Sequence, residues 1–217
     1  MGAAALGNVG LIVLGITIVL LISNIIGGGA LIYLAPRLSL LSLLITSYIW
    51  SLLASVLTTF VLFYFKLIPL EYPFHIFILS LINSFSSVNL NLLLGREKIY
   101  KFNLITLLQV IMQLLFLWIM LLFVGQRHID IYIYSLYVSY SVAFIFSFIY
   151  LVKEIKDFRI ENLLKTAGSI IRYGGFVQLS NILQLLNYRL AYYIIDFYQG
   201  KVLLGIFTLG VQLSEGL

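Results

Sequence analysis

The sequence predicts an all-α membrane protein, a polytopic bundle of about seven transmembrane helices. Three observations carry that expectation. Of 217 residues, 62% are hydrophobic and only 10% charged, with a mean hydropathy of +1.10. Soluble domains carry about 45–50% apolar and about 25% charged residues, and one core of this length could not hide the excess. The apolar residues also fall in near-continuous runs of about 20, the length of a helical crossing, rather than in the alternating segments of about ten that build a transmembrane barrel. This composition excludes a soluble enzyme, a nucleic-acid-binding domain and a disordered tail.

Taken in order, charges and prolines cut the chain into apolar segments over 9–34, 39–65, 74–94, 103–124, 132–152, 175–198 and 202–217. The first carries Gly27, Gly28 and Gly29 near one end. Three glycines weaken a helix and allow a bend or a close approach, so they are candidate gating hinges, with small-residue packing as the alternative. The second and third are bounded by Arg37, Lys66 and Arg96. Pro36, Pro69 and Pro73 fall in connectors, where a missing N–H costs little. The last segment contains Gly205 and Gly210, open to the same two readings.

The loops predict orientation. One alternate set holds Arg37, then Arg96, Lys98 and Lys101, then Lys153, Lys156, Arg159, Lys165 and Arg172. The other set holds only Lys66, Arg127 and Lys201. The excess of Lys and Arg puts the first set in the cytoplasm, so the chain starts on the outer side. An outside start with no signal segment, and a last segment with no flanking basic residue, suggest part of a larger transporter-like protein. On that reading 1–152 forms most of a first lobe lacking its first helix, 153–174 a cytoplasmic amphipathic linker, and 175–217 the start of a truncated second lobe. From Ile160 the linker places Leu163, Leu164, Ala167, Ile170 and Ile171 on one face, with Glu161, Lys165 and Arg172 outside it. It reads as a surface helix leading into the next span at Tyr173-Gly174-Gly175, or as a long basic loop.

Polar groups at membrane depth need a partner or a wet cavity. In the third segment Ser80, Asn83, Ser84, Ser87 and Asn91 share a face. In the fourth, Thr106, Gln109 and Gln113 do. They are either helix–helix contacts or the lining of a hydrated groove able to meet sugar hydroxyls. In the sixth, Gln178, Arg189 and Asp196 align, with Asn181 and Tyr192 beside them. Arg189 lies about 21 Å from the cytoplasmic end of its segment at ~1.5 Å per residue, where insertion of an arginine costs about 2.5–3.5 kcal/mol. Asp196 is about 10 Å up the helix, and Glu215 about 10 Å deeper on the next, both too far for easy pairing. Arg189 is therefore expected to lack a partner within the chain. An external anion and a carboxylate from elsewhere remain equal alternatives.

Enzyme signatures are absent, and no catalytic residue, metal ligand or cofactor is expected. His75 and His128 show no metal-ligand spacing, and there is no cysteine. Arg96 and Lys98 read as topology determinants, with headgroup contact as a lesser alternative.

Gly27–Arg37 (GGGALIYLAPR), 6–11 (LGNVGL), 94–103 (LGREKIYKFN) and 172–217, with YGG, NILQLLNYRL and GIFTLGVQLSE, resemble bacterial polysaccharide flippases. These are the O-antigen, or lipid-linked oligosaccharide, exporters of the multidrug/oligosaccharidyl-lipid/polysaccharide superfamily. The resemblance implies a partial MATE-like fold of two six-helix lobes in the bacterial plasma (inner) membrane. It implies outward flipping of undecaprenyl-pyrophosphate-linked oligosaccharide by alternating access, with membrane lipids as partners, no nucleic acid, and H+ or Na+ as a coupling cation. Substrate contacts would come from Arg189, Gln178, Asn181, Tyr192, Asn83, Asn91 and Gln113. Relatives often carry an acid two positions after the arginine of the NYRL segment, where this chain has Ala191. The alternatives are a multidrug or cation antiporter of the same superfamily, a membrane-embedded glycan polymerase or ligase, and a non-transporting scaffold.

Overall fold

The structure, a computed structural model, describes residues 3–124, 129–156, 159–160 and 162–215. Arg127, His128, Glu161 and the Glu215 side chain lie outside the described set. Helices make up 88% of the structure, with no strand among the described residues. Among the described residues, six helical stretches are long and apolar enough to cross a membrane: Ala5–Leu34, Leu40–Tyr64, Pro73–Gly95, Ile99–Met120, Ile129–Val152 and Gln178–Val211. The chain is an all-α membrane bundle.

The first apolar segment is not one helix. Helix α1 (Ala3–Ser23) tightens into a 3-10 turn at Asn24–Ile26, and α2 (Gly28–Leu34) resumes beyond it. Gly28 adopts φ +53°, the left-handed region that a side chain resists. The bend expected from the three glycines is therefore a full break.

Helix α3 (Leu40–Tyr64) starts from Ser39, whose hydroxyl accepts the Ser42 N–H at 3.5 Å. That is ordinary N-cap chemistry. Pro73 opens α4 (Pro73–Gly95) from its first turn, where its missing N–H would have had no helical partner. Helices α5 (Ile99–Val124) and α6 (Ile129–Val152) begin ahead of their apolar runs. A helix need not stop where its apolar stretch does.

Helix α7 (Leu163–Glu215) differs most from expectation. The surface helix expected over 160–172 is instead its first turns. Asn162 caps it, its Oδ1 accepting the N–H groups of Leu164 and Lys165 at 3.0 and 3.3 Å. The helix crosses Gly174-Gly175 without a break. Gly174 serves close packing instead: a Cβ there would lie 2.8 Å from Ala30 Cβ on α2. The apolar arc splits accordingly, with Ile170 buried against the bundle while Ile160, Leu164 and Ile171 stay exposed.

At Gly200 (φ 77°, ψ 174°) α7 folds back on itself. Tyr192 and Phe207, on opposite sides of that residue, meet edge to face at 5.3 Å. Along α1, Leu21 faces Gln178 while Gly7 touches Lys201, so the first arm runs antiparallel to α1. Gly10 then meets Thr208, which shows the second arm running back alongside it. The expected gap between the last two apolar segments is this reversal.

Helix α1 sits centrally, packed on α7, α3 and α4, whereas α5 packs on α6 and to a lesser degree on α4. Only 6% of the apolar window of α5 is buried, against 56% for the first segment, which places α5 at the periphery. Its exposed Leu107, Leu114, Trp118 and Leu122 suit lipid, which is as apolar as they are. On α3, Ser47, Ser51, Ser55 and Thr59 form a buried column at four-residue spacing. Such small side chains let helix backbones approach closely.

Candidate functional site at the seam of α1 and α7

A helix that ends leaves carbonyls without intrahelical donors, and in lipid they must be satisfied from elsewhere. The break in the first segment is met from three other helices. Gln178 Nε2 on α7 donates to the Leu21 carbonyl at 2.6 Å. Trp50 Nε1 on α3 donates to the Ile22 carbonyl at 3.1 Å. The Ser84 hydroxyl on α4 donates to the Ser23 hydroxyl at 3.1 Å. Asn181 Nδ2 in turn donates to Gln178 Oε1 at 3.3 Å. A Cβ built on Gly28 would lie 3.8 Å from that same Gln178 oxygen. Gln178, Asn181 and the Gly27–Gly29 hinge candidates, far apart in sequence, thus meet in one place.

Farther along the seam, Arg189 Nη1 donates to the Tyr192 hydroxyl at 2.9 Å, and the guanidinium carbon lies 5.3 Å from the Tyr192 ring centre. Tyr192 is held by packing among Leu11, Leu14 and Leu204. The expectation that Arg189 lacks a partner within the chain is therefore corrected. One helical turn separates the two residues, which lets a tyrosine hydroxyl reach the guanidinium. Arg189 and Tyr192 line a cavity of about 90 Å³ with Gly10, Val13, Leu14, Thr17 and Thr208. That is room for a few waters, well below the ~300 Å³ of an ordinary small-molecule pocket.

The remaining candidates lie elsewhere. Asn91 Nδ2 on α4 donates to Ser87 Oγ at 3.4 Å, and Asn83 is half-buried on the same helix. Gln113 is half-buried on α5. The α4 stripe is partly self-satisfied, since Ser80 Oγ donates to the Ile76 carbonyl at 2.6 Å. Thr106 on α5 is exposed and bonds its own backbone at Phe102. The seven predicted contacts therefore occupy several settings: the α1 break, the Arg189 cavity, and faces of α4 and α5.

A buried polar residue outside the predicted stripes does more structural work. The Tyr48 hydroxyl on α3 donates to Asn89 Oδ1 at 2.7 Å, and Asn89 Nδ2 donates to Ser147 Oγ on α6 at 3.2 Å. This fully buried amide ties three helices together.

Fold and site together define a polytopic helical membrane protein with a broken first span and a polar seam. Comparison with protein-family models, with curated proteins and with solved structures finds no match to this chain.

Proposed function

We propose that this chain belongs to a transporter that flips undecaprenyl-pyrophosphate-linked oligosaccharide across the bacterial plasma membrane. The observation that supports this reading is the position of Arg189, a guanidinium at mid-span depth in the seam between α1 and the α7 hairpin. Planar guanidinium donors suit pyrophosphate oxygens, and a cation at membrane depth is costly enough that such residues characteristically mark substrate or ion pathways. The cavity around it admits only water-sized groups, so a substrate of this class enters when α7 separates from α1. The broken first span supplies a joint at which such separation can occur, as in transporters built with discontinuous helices. A partial MATE-like arrangement with alternating access is the architecture that fits this mechanism.

The test is reconstitution of the whole transporter to which the chain belongs in proteoliposomes carrying a labelled undecaprenyl-pyrophosphate oligosaccharide, with translocation read by accessibility to an external enzyme. Arg189→Ala should lower the initial rate roughly tenfold or more, the loss of one charge-assisted contact, while Arg189→Lys retains part of it. Wild-type rates in a correctly inserted Arg189→Ala protein would overturn the reading.

A further inference from the structure

The basic residues that set orientation are scattered over three connectors, yet the structure gathers them. Arg37 follows α2, Arg96 and Lys98 join α4 to α5, and Lys156 and Arg159 lie between α6 and α7. All five line one cavity of about 720 Å³ at that end of the bundle, together with Ser39 and, among the described residues, the carboxylate of Glu154. This volume falls within the ~300–1,000 Å³ that holds small ligands.

The carboxylate is already engaged. Glu154 accepts from Lys101 at 3.1 Å and pairs with Lys98 at 3.4 Å. Partial burial alone would raise its pKa, but hydrogen bonds and charge from these two lysines outweigh that and hold it below the ordinary carboxylate value. Two further features favour an anion. The N-terminus of α3, a helix of 25 residues, opens at Ser39 on the cavity wall and adds the positive end of its dipole. The Arg96 Nε–H is buried with no acceptor among the described residues. A buried charged donor left in that state is costly, and an oxyanion satisfies it.

We propose that this cavity binds a phosphoryl group, with Arg37, Arg96 and Lys156 as its cationic ligands. Several convergent cations, two or more of them guanidinium forks, suit a multiply charged oxyanion better than a single carboxylate. The site lies at the ends of membrane helices, beside the exposed apolar Ile160 and Leu164, where a phospholipid headgroup is at hand. A soluble pyrophosphate or nucleotide carries the same chemistry. This site is separate from Arg189, which lines a different cavity in the seam of α1 and α7.

The experiment uses the purified full chain in phosphatidylcholine nanodiscs, in nanodiscs also containing phosphatidylglycerol, and in phosphatidylcholine with added inorganic pyrophosphate. Bound lipid is counted by native mass spectrometry and pyrophosphate by calorimetry. Retention of phosphatidylglycerol alone assigns the headgroup, and pyrophosphate binding in neutral nanodiscs assigns the soluble source; either supports the site. Arg96→Gln, and independently the exposed Lys156→Gln, should weaken binding by about tenfold or more each, the scale of one charge-assisted contact. Arg172→Gln, which removes a cation from the same end but outside the cavity, should leave it unchanged. No binding of either probe, or equal losses in Arg172→Gln and Lys156→Gln, overturns the proposal.

Discussion

Gln178 donates its side-chain amide to the carbonyl oxygen of Leu21 at 2.6 Å, where the first span stops being helical. The contact joins residues 157 positions apart and gives a broken helix end a donor that its own backbone cannot supply. Removing the amide strands a carbonyl inside the bundle. Gln178→Leu should therefore lower stability by about 1–3 kcal/mol, the cost of a buried unsatisfied group. Thermal unfolding in detergent measures it, and an unchanged Tm would mean that the break is satisfied by other means.

The glycines divide into two kinds with opposite expected outcomes. A Cβ on Gly95 would sit 2.7 Å from both Ala35 Cβ and the Ile32 carbonyl oxygen, so Gly95→Ala forces α2 and α4 apart. Such overpacking costs about 1–3 kcal/mol. Gly168, in the first turns of α7, has nothing within 4 Å, and alanine there gains helix propensity of up to about 1 kcal/mol. Melting curves of the two variants should shift in opposite directions.

Asn89 holds Tyr48 and Ser147 together across α3, α4 and α6. Hydrogen bonds between membrane helices average about 0.6 kcal/mol and reach about 1.7 kcal/mol. Asn89→Ala breaks two and should cost about 1–2 kcal/mol on that scale. A double-mutant cycle with Tyr48→Phe should show coupling, since Asn89→Ala already strands the tyrosine hydroxyl; strictly additive losses would deny the network.

Acid should loosen the basic end. Glu154 is held below its ordinary pKa by the Lys101 and Lys98 contacts, against the opposing effect of burial. A depressed carboxylate contributes stability that is fully present above the unfolded-state value and lost as pH falls through the lowered folded value. Unfolding followed from neutral pH downwards should thus show an acid-side loss in the wild type that is absent in Glu154→Gln, whose stability is lower at neutral pH. Superimposable profiles for the two proteins would argue that the lysine contacts contribute nothing to folding.

Tyr192→Phe separates packing from polarity at the seam. The ring contact with Phe207 at 5.3 Å survives, while the hydroxyl that accepts from Arg189 at 2.9 Å is lost. In the proteoliposome assay its translocation rate should fall less than that of Arg189→Ala, because the guanidinium remains.

Much of the helical layout was legible in the chain because lipid restricts it to long apolar helices with polar ends. Gly27 to Gly29 allowed for the break, with close packing as the other reading, and the gap between the apolar segments 175–198 and 202–217 falls at the reversal. The continuity of α7 was not legible. Gly174 and Gly175 look like a stop, but the site of contact with Ala30 is supplied by another part of the fold. Asn89 escaped notice for a similar reason, since its partners lie 41 and 58 residues away and its own helix face offers no pattern. The Tyr192 partner of Arg189 lies one turn along the same helix, but it is a neutral hydroxyl rather than the acid that a buried cation calls for. The basic cavity required three connectors to meet, which no spacing rule contains.

The sharp turn at Gly200 also bears on biogenesis. Its two arms would enter the bilayer together as a hairpin, and the tip that must be pushed through hydrocarbon carries both Asp196 and Lys201. Opposite charges travelling together make a smaller electrostatic barrier than either ion alone. Neutralising only one of them would burden insertion of the hairpin while leaving the finished packing nearly untouched.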